Sequence, residues 1–413
     1  MNAEPVRLLL VTLYWPPAGG PGVQRPLKLA AHLPELGIET HVLAPDDPKW
    51  LHRDESLAAP ARAIVHRAKN LGPRARRPAE ELYGRRGRDR LAVQAELAFR
   101  RVLVPDASVL WNATAIPAAL GLVRRHGIDA ILTTSPPGSV HLIGAAAKRT
   151  TGVRWVADLR DSIARHPHRR RDLRGEAALA RLVARRADAV VCASRAIAEE
   201  MRPLGVRGRL EVIENGCDYE DFAGLAYRPG SRFRITHTGS FFGSRDPRPF
   251  LDALARSDDV VVARFVGDFR ASDRSYAERL GLGDRLELVP YLPRERALAL
   301  QRDSEALLLL IPEAEGRGRG VLSGKVFEYL AAERPILAAV PVDGEAAALL
   351  SETGAGVVVD PTDVDGLAAA LAALEARWRA GELDGMRLDA TTRARLSRRA
   401  RAEALARLLT EIR

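Results

Sequence analysis

The feature that most constrains this chain is the alternation of short apolar runs with longer segments of helical period. In the first half the apolar runs include VRLLLVTL and IDAILTTS, and in the second half they include VVARFVGDF and EALLLLIP. The segments between them are rich in Ala, Leu and Arg. Continuous apolar strands that alternate with helices are typical of parallel sheets covered on both faces. The sequence therefore predicts an α/β fold with doubly wound parallel sheets.

The length of the chain points to more than one domain, since 413 residues exceed the usual size of a single domain. The alternation lapses near residues 222–232, in a stretch that contains Gly and Pro and is typical of a linker. We therefore predict two Rossmann-like domains, over residues 1–222 and 230–394. In such sheets, ligands bind beyond the carboxyl ends of the strands.

The composition excludes several classes of protein. Hydrophobic residues make up 46% and charged residues 28%, which is typical of a globular chain and not of a disordered or collagen-like one. No run of about 18 apolar residues occurs, so we expect no membrane-spanning helix. The apolar run Val6 to Leu13 is interpreted as a buried first strand and not as a signal peptide. We expect a soluble cytoplasmic protein in which Cys192 and Cys217 are buried thiols.

The net charge of +10 is concentrated in the first half of the chain. Residues 1–225 carry 35 basic and 25 acidic side chains, whereas residues 226–413 carry 28 of each. Residues 62–90 alone hold ten basic and three acidic side chains, and a second basic cluster spans Arg165 to Arg174. Such a field indicates an anionic partner, either a membrane surface or an acceptor phosphate, and solvated loops are the alternative. Nucleic acid is not expected, because interleaved aromatic residues and a reading helix are lacking.

A glycine-containing turn follows the first strand of each of the two predicted domains. Gly19 and Gly20 precede a helix that starts near Gln24, and Gly239 precedes Arg245 in the second domain. Glycine lets backbone N–H groups approach a phosphate, and a helix N-terminus adds partial positive charge. The alternative is an ordinary tight turn in each place.

The segment RGRGVLSGKVFEYLAAERPILAAVP is the most informative one. Lys325 and Glu328 are three residues apart near the start of a predicted helix, so they share one face at its positive end. Lys325 offers a point charge for a phosphate, and Glu328 can accept hydrogen bonds from two hydroxyls of a ribose. A structural Lys–Glu pair is the alternative.

These segments resemble one enzyme family. SGKVFEYLAAERPILA resembles the donor-binding helix of retaining glycosyltransferases of family 4, also called group 1. EVIENGCDYEDF resembles the strand and loop that end the first domain in that family, and YWPPAGGPGVQRPLKLAAHLPELG resembles its glycine-rich first loop. VRWVADLRDS resembles the segment near the reaction centre. The resemblance covers nearly the whole chain.

The resemblance implies the GT-B architecture, in which two Rossmann-like domains face a cleft and the last helix, here about residues 395–413, crosses back to the first domain. The first domain would bind an acceptor, which is lipid-linked in some members of the family, and the second a nucleotide-diphosphate sugar. The implied reaction transfers the sugar to an acceptor hydroxyl with retention of anomeric configuration, in polysaccharide, glycolipid or natural-product glycoside biosynthesis. A nucleotide-sugar epimerase of the same fold, and a basic nucleic-acid- or membrane-binding protein without catalysis, are the alternatives.

The resemblance also implies roles for individual residues. Gly239 would lie under the diphosphate, which Arg245 and Lys325 would neutralise, and Glu328 would bind the ribose. Gly19 and Gly20 would close on the phosphate from the opposite domain. These groups can stabilise the departing diphosphate, so no metal and no further cofactor is expected. Three further residues are assigned to the base or the acceptor. Tyr291 is placed near the base, with loop packing as its alternative. Gln24 and His141 are placed on the acceptor side, and capping or packing is the alternative for His141.

The chain departs from the family pattern in two places. The first of two glutamates usual in the family would stand at Gly320, and Glu313 or Glu315 would have to replace it. Where many members have a histidine, this chain has Arg160 and Asp161. We assign both to the reaction centre, with Asp161 orienting or deprotonating the acceptor hydroxyl. A salt bridge of Asp161 with Arg160 or Arg165 is the alternative.

Overall fold

The computed structural model describes residues 4–47, 52–72, 99–100, 102–163, 174–241, 244–383 and 385–413. These residues form two compact units, and the chain passes from the first to the second between Glu214 and Asn215. Residues from Arg401 to Arg413 belong to the first unit again. The division lies ahead of the predicted linker because Phe222, at the start of that stretch, is buried in the core of the second unit.

The first unit contains a seven-stranded parallel sheet in the order β3-β2-β1-β4-β5-β6-β7. Its strands are β1 Val6–Thr12, β2 Ile38–Pro45, β3 Ile64–Ala68, β4 Ala130–Ser135, β5 Arg154–Leu159, β6 Ala189–Cys192 and β7 Arg209–Val212. Its α-helices are α1 Gln24–His32, α2 Asn112–His126, α3 Val140–Thr151, α4 Arg174–Arg186 and α5 Arg195–Met201. Short 3-10 helices span Leu33–Leu36, Ala107–Trp111 and Arg202–Leu204.

The second unit contains a six-stranded parallel sheet in the order β10-β9-β8-β11-β12-β13. Its strands are β8 Phe233–Thr238, β9 Val261–Val266, β10 Leu286–Val289, β11 Ala306–Leu310, β12 Ile336–Ala339 and β13 Gly356–Val359. Its α-helices are α6 Arg248–Ala255, α7 Ala271–Arg279, α8 Arg294–Arg302, α9 Gly324–Ala332, α10 Glu345–Thr353, α11 Val364–Arg379 and α12 Ala390–Leu396. Tyr219–Phe222 and Gly283–Arg285 are 3-10 helices.

Both sheets are buried on their two faces, as the apolar runs predict. In β1, Leu9 and Val11 pack on one face of the sheet, whereas Leu8 and Leu10 pack on the other. The strand order reverses between β1 and β4 in the first unit and between β8 and β11 in the second. Such a switch point leaves room for a ligand at the carboxyl edge. The predicted fold of two doubly wound α/β sheets is confirmed.

The last helix, α13 Arg398–Glu411, confirms the predicted return of the chain to the first unit. Leu405 and Leu409 of this helix are buried in the same core cluster as Leu8 and Leu10 of β1. Amphipathic packing of this kind, and not helix propensity alone, holds a terminal helix in place.

Three further expectations concern membranes, thiols and charge. No helix in the described part of the chain is both long and apolar enough to cross a membrane. Cys192 and Cys217 are buried free thiols, as predicted. Residues 73–90 of the first basic segment, and the second basic cluster except for the backbone of Arg174, lie outside the described residues. The anionic partner therefore stays a prediction.

Candidate functional site

The ammonium group of Lys325 lies at the carboxyl edge of the second sheet, on the first turn of α9. Its Nζ lies 3.2 Å from Nε2 of His237, and Nδ1 of His237 lies 2.8 Å from the carbonyl oxygen of Leu308. Because a carbonyl only accepts, His237 carries its proton on Nδ1, and Nε2 accepts from Lys325. Burial and the nearby Arg245 hold the pKa of Lys325 well below its usual range, although Glu328 opposes the shift. An anion at this point would favour the charged form of Lys325.

Gly239 makes room for this ammonium group. Its φ is +134°, and a Cβ there would lie 2.2 Å from Nζ of Lys325. Glycine is therefore needed both for the backbone conformation and for the close approach. Arg245 donates from Nη1 to the carbonyl oxygen of Ser240 at 3.2 Å, at the same strand end.

A pocket joins the two cations. It is lined by Arg245, Ser323 and Lys325, together with the loop residues Pro312, Ala314, Gly318 and Val321 and the strand-end residues Leu310 and Ile311. Two basic side chains and the N-terminus of α9 converge here, which is the arrangement that binds phosphate groups. The structure thus brings together three residues that the sequence assigned to the diphosphate.

Glu328 lies one turn further along α9, in a network of hydrogen bonds. Its Oε2 accepts from Nη1 of Arg294 at 2.6 Å, and its Oε1 accepts from Nε2 of Gln301 at 2.5 Å. Gln301 also donates to Oγ1 of Thr238 at 2.8 Å, and Arg294 also donates from Nη2 to Asp221 at 2.9 Å. The side chain of Glu328 is 20% exposed, so its carboxylate is oriented and still accessible. Each carboxylate oxygen keeps a lone pair that a hydroxyl can bind.

Arg294 is held in its charged form by this network. Burial opposes the charge, but the carboxylates of Glu328 and Asp221 raise the pKa of its guanidinium.

The sequence analysis missed Arg294, Gln301 and His237. Arg294 and Gln301 are seven residues apart and therefore share a face of α8, and His237 stands two residues before Gly239, so both signals were available in the sequence.

The loop between β11 and α9 contains the glutamates that the sequence offered as substitutes at Gly320. Glu313 forms an ion pair with Arg319 at 3.5 Å, and Glu315 is exposed with a φ of +59°. A Cβ at Gly318 would lie 1.9 Å from the carbonyl oxygen of Pro312, so this glycine is required by packing. Tyr291 is partly buried in the loop that follows β10. Their contacts with a donor stay predictions.

The glycine-rich loop of the first unit follows β1. The amide of Gly19 donates to the carbonyl oxygen of His52 at 2.9 Å, and Gly20 has a φ of +89°. A Cβ at Gly22 would lie 2.9 Å from Cγ of Tyr14. Gln24 is the first residue of α1, as predicted. Both glycines of the predicted phosphate contact belong to the first unit, and that contact stays a prediction.

Arg25 and Asp158 form a buried ion pair at the carboxyl edge of the first sheet, which the sequence analysis missed. Nε and Nη2 of Arg25 donate to the two carboxylate oxygens of Asp158 at 3.0 and 2.7 Å. Thr134 donates to the same carboxylate at 2.7 Å, and Arg25 also donates to the carbonyl oxygen of Glu214 at 2.8 Å. The carboxylate of Asp158 thus connects α1, β4 and β5 within the first unit.

Arg160 and Asp161 follow β5 at this edge. The guanidinium of Arg160 donates from Nε to the carbonyl oxygen of Ser135 and from Nη1 to that of Gly22, both at 2.6 Å. These bonds position two loops. Among the described residues, Asp161 and Arg160 form no hydrogen bond with each other, and Arg165 lies outside the described residues. Asp161 is partly exposed. The catalytic roles of both residues stay predictions.

His141 is completely buried on the first turn of α3. Its Nδ1 lies 2.9 Å from Oγ1 of Thr133, which itself accepts from Nε1 of Trp155 at 2.8 Å. The direction of the bond between Thr133 and Nδ1 depends on the tautomer of the ring, and Nε2 has no hydrogen-bond partner in the described part of the chain. Burial lowers the pKa of His141 to about 4, partly offset by Asp158. This environment favours the packing alternative over direct contact with an acceptor.

A comparison with protein families places a known domain in the first half. Residues 19–216 match the family model described as a glycosyl transferase 4-like domain. This range includes the glycine-rich loop, Arg160 and Asp161. No curated protein sequence matches the chain.

The whole chain is similar to solved structures of the same architecture. Sucrose-phosphate synthase from Thermosynechococcus elongatus aligns with a TM-score of 0.69 and 15% identity, over 98% of this chain and 99% of that one. HepE from Anabaena, in complex with UDP and glucose, aligns with a TM-score of 0.65 and 17% identity, over 98% and 100%. The apo form of the lipopolysaccharide outer core galactosyltransferase WaaB aligns with a TM-score of 0.60 and 14% identity, over 98% and 100%. At these identities the likeness establishes the fold.

The sheet topologies and the structural neighbours agree on the GT-B architecture. The family match covers most of the first unit. The comparisons thus establish the GT-B fold for this chain, and residues 19–216 match a glycosyl transferase 4-like domain.

Proposed function

We propose that this protein transfers a sugar from a nucleotide-diphosphate sugar to an acceptor hydroxyl, with retention of anomeric configuration. The observation that carries the proposal is the pocket of Lys325 and Arg245 beside the oriented carboxylate of Glu328. A nucleotide-diphosphate sugar presents the matching groups, a diphosphate and a ribose with two neighbouring hydroxyls. The complex of HepE with UDP and glucose, which shares the fold, supports this choice of donor.

In this proposal the second unit binds the donor through charge and hydrogen bonds. Lys325 and Arg245 contact the diphosphate, with Gly239 beneath it, and Glu328 accepts from the ribose hydroxyls. When the sugar leaves, negative charge grows on the diphosphate. Cations that already point at that position stabilise it without reorganising, which is the main source of catalysis in such a step. The protein's own cations supply this charge, and we propose that no metal is required.

The acceptor is assigned to the first unit. Asp161 would orient or deprotonate the acceptor hydroxyl, because a carboxylate in hydrogen-bond reach can act as a general base. We propose a polysaccharide, glycolipid or natural-product glycoside as the product, formed on the cytoplasmic side. The basic residues 62–90 would attract an anionic membrane that carries a lipid-linked acceptor. Sedimentation with anionic and neutral liposomes tests this contact, and equal binding to both would contradict it.

The experiment that tests the proposed function is a turnover assay with a panel of nucleotide-diphosphate sugars, with and without sugar and lipid-linked acceptors. We expect release of the nucleoside diphosphate with one donor and a product whose new bond has the donor's anomeric configuration, read by NMR. Interconversion of the donor with its epimer, without transfer, would establish the epimerase alternative. No conversion of any donor, together with no binding of any nucleoside diphosphate, would contradict the proposal.

A further inference from the structure

Three histidines from distant parts of the sequence meet in the first unit. His41 lies in β2, His66 in β3, and His126 is the last residue of α2. In the sheet register His41 lies opposite Ile64 and Leu43 lies opposite His66, so both histidines project to the same face. Nδ1 of His41 lies 3.0 Å from Nε2 of His66. One ring nitrogen from each histidine lies within 4.8 Å of the other two.

The carboxylate of Glu39 fixes the tautomer of His41. Nε2 of His41 lies 2.9 Å from Oε1 of Glu39, two residues earlier on the same strand face. Because a carboxylate accepts, Nε2 carries the proton, and Nδ1 presents its lone pair towards His66. A histidine that donates one nitrogen to a carboxylate and offers the other is the usual arrangement of a metal ligand and its supporting partner.

The three rings differ in their exposure to solvent. His41 is only 1% exposed, whereas His66 and His126 are partly exposed, which gives a path from solvent. A neutral imidazole is the form that binds a metal ion.

We propose that His41, His66 and His126 form a site for a divalent transition-metal ion of the Zn²⁺ class. Imidazole nitrogens suit Zn²⁺, Ni²⁺ and Cu²⁺, and three protein ligands leave the fourth tetrahedral position to water or another small ligand. With Zn–N distances of about 2.0–2.1 Å, tetrahedral ligand nitrogens lie about 3.3 Å apart, close to the separation of His41 and His66. Glu39 supports the site from outside the ligand set.

The site is separate from the proposed glycosyl transfer. His126 ends the helix that leads into the amino end of β4, whereas the residues assigned to the reaction follow the carboxyl ends of the strands. A metal here ties β2, β3 and α2 together. It therefore acts on the stability of the first unit, and its loss leaves the donor site of the second unit intact.

The test uses the untagged full-length protein after dialysis against a chelator. Zn²⁺ is titrated by calorimetry, and Co²⁺ is followed by the visible absorption of its tetrahedral complexes. We expect one Zn²⁺ per chain and a higher melting temperature. His66→Asn and His126→Asn should each weaken Zn²⁺ binding about 100-fold or more, and Glu39→Gln about tenfold, the low end of the range for supporting partners. His41 is left unchanged because it is buried.

Two controls separate this site from incidental binding. His32→Asn removes a histidine that, like His126, ends a helix of the first unit, and it should leave Zn²⁺ binding unchanged. A joint substitution of His166 and His168, a His-x-His pair in the sequence, should also leave it unchanged. The proposal is overturned if the parent binds no Zn²⁺, if His66→Asn and His126→Asn bind like the parent, or if the controls lose binding equally.

Discussion

The carboxyl edges of the two sheets use their charged side chains in different ways. At the edge of the first sheet Arg25 is paired with Asp158, and Arg160 donates to backbone carbonyls, so both guanidinium groups have partners within the first unit. At the edge of the second sheet Lys325 lies beside His237, and burial together with the charge of Arg245 lowers its pKa. An edge whose charges are internally balanced is a structural support, whereas an edge with accumulated positive charge is prepared for an anion.

Breaking the Arg25–Asp158 pair should have the largest effect on stability. Arg25→Met keeps side-chain length but leaves the Asp158 carboxylate buried without its cation, which costs about 3–5 kcal/mol of unfolding free energy. Urea unfolding followed by circular dichroism measures the change. The matched control is Arg256→Met, which breaks an exposed pair with Asp365 and should cost about 0–1 kcal/mol. Equal effects of the two substitutions would show that the first edge is not held together by this pair.

The pH dependence of stability tests the environment of His141, a buried residue of the first unit. His141 has a pKa lowered from 6.5 to about 4 by burial, so the unfolded chain takes up its proton first as the pH falls. Its contribution is present above pH 6.5 and is lost as the pH falls towards 4. Between pH 7 and pH 5 the free energy of unfolding should drop by about 2 kcal/mol through this residue alone.

The control for this pH effect is His141→Gln, which has no titrating group at the position. Urea unfolding of the variant at the same two pH values should show a drop smaller by that amount. An identical pH dependence in parent and variant would mean that His141 does not titrate as its burial requires.

A smaller effect is expected at Glu328, on the ligand-binding edge. Glu328→Gln removes the charge while keeping one acceptor oxygen, so binding of the nucleotide sugar should weaken by about 1.5 kcal/mol, roughly tenfold. Calorimetric titration measures the change, and Glu287→Gln, at an exposed carboxylate that pairs with the buried Arg264 in the same unit, serves as the control. Unchanged donor affinity in Glu328→Gln would show that the carboxylate held by Arg294 and Gln301 does not contribute to ligand binding.

Local patterns in the sequence predicted the structural features that depend on residues close together in the chain. Apolar runs predicted the strands because both faces of a parallel sheet are buried, and the spacing of Lys325 and Glu328 predicted a shared helix face because helical geometry is fixed. Only the resemblance predicted a shared site for Gly239 and Lys325, since no local pattern connects residues 86 positions apart.

Contacts between distant segments were not predictable in this way. Arg25 and Asp158 are 133 residues apart, and their pairing depends on the order of strands in the folded sheet. The meeting of His41, His66 and His126 likewise depends on the register of β2 and β3 and on the packing of α2. The predicted linker lies after the division between Glu214 and Asn215 for a related reason, because a Gly/Pro stretch marks a loop but does not say which core buries Phe222.

The central claim is that the second edge binds a nucleotide diphosphate through Lys325, and calorimetry with UDP, GDP, TDP and their nucleosides tests it most directly. We expect the parent to bind one diphosphate, and Lys325→Ala to weaken that binding by about 1.5–3 kcal/mol, roughly 10- to 150-fold, with little change for the nucleoside. Arg256→Ala, an exposed cation of the same unit, should bind like the parent. A parent that binds none of the diphosphates, or a folded Lys325→Ala protein that binds them as tightly as the parent, would contradict the account.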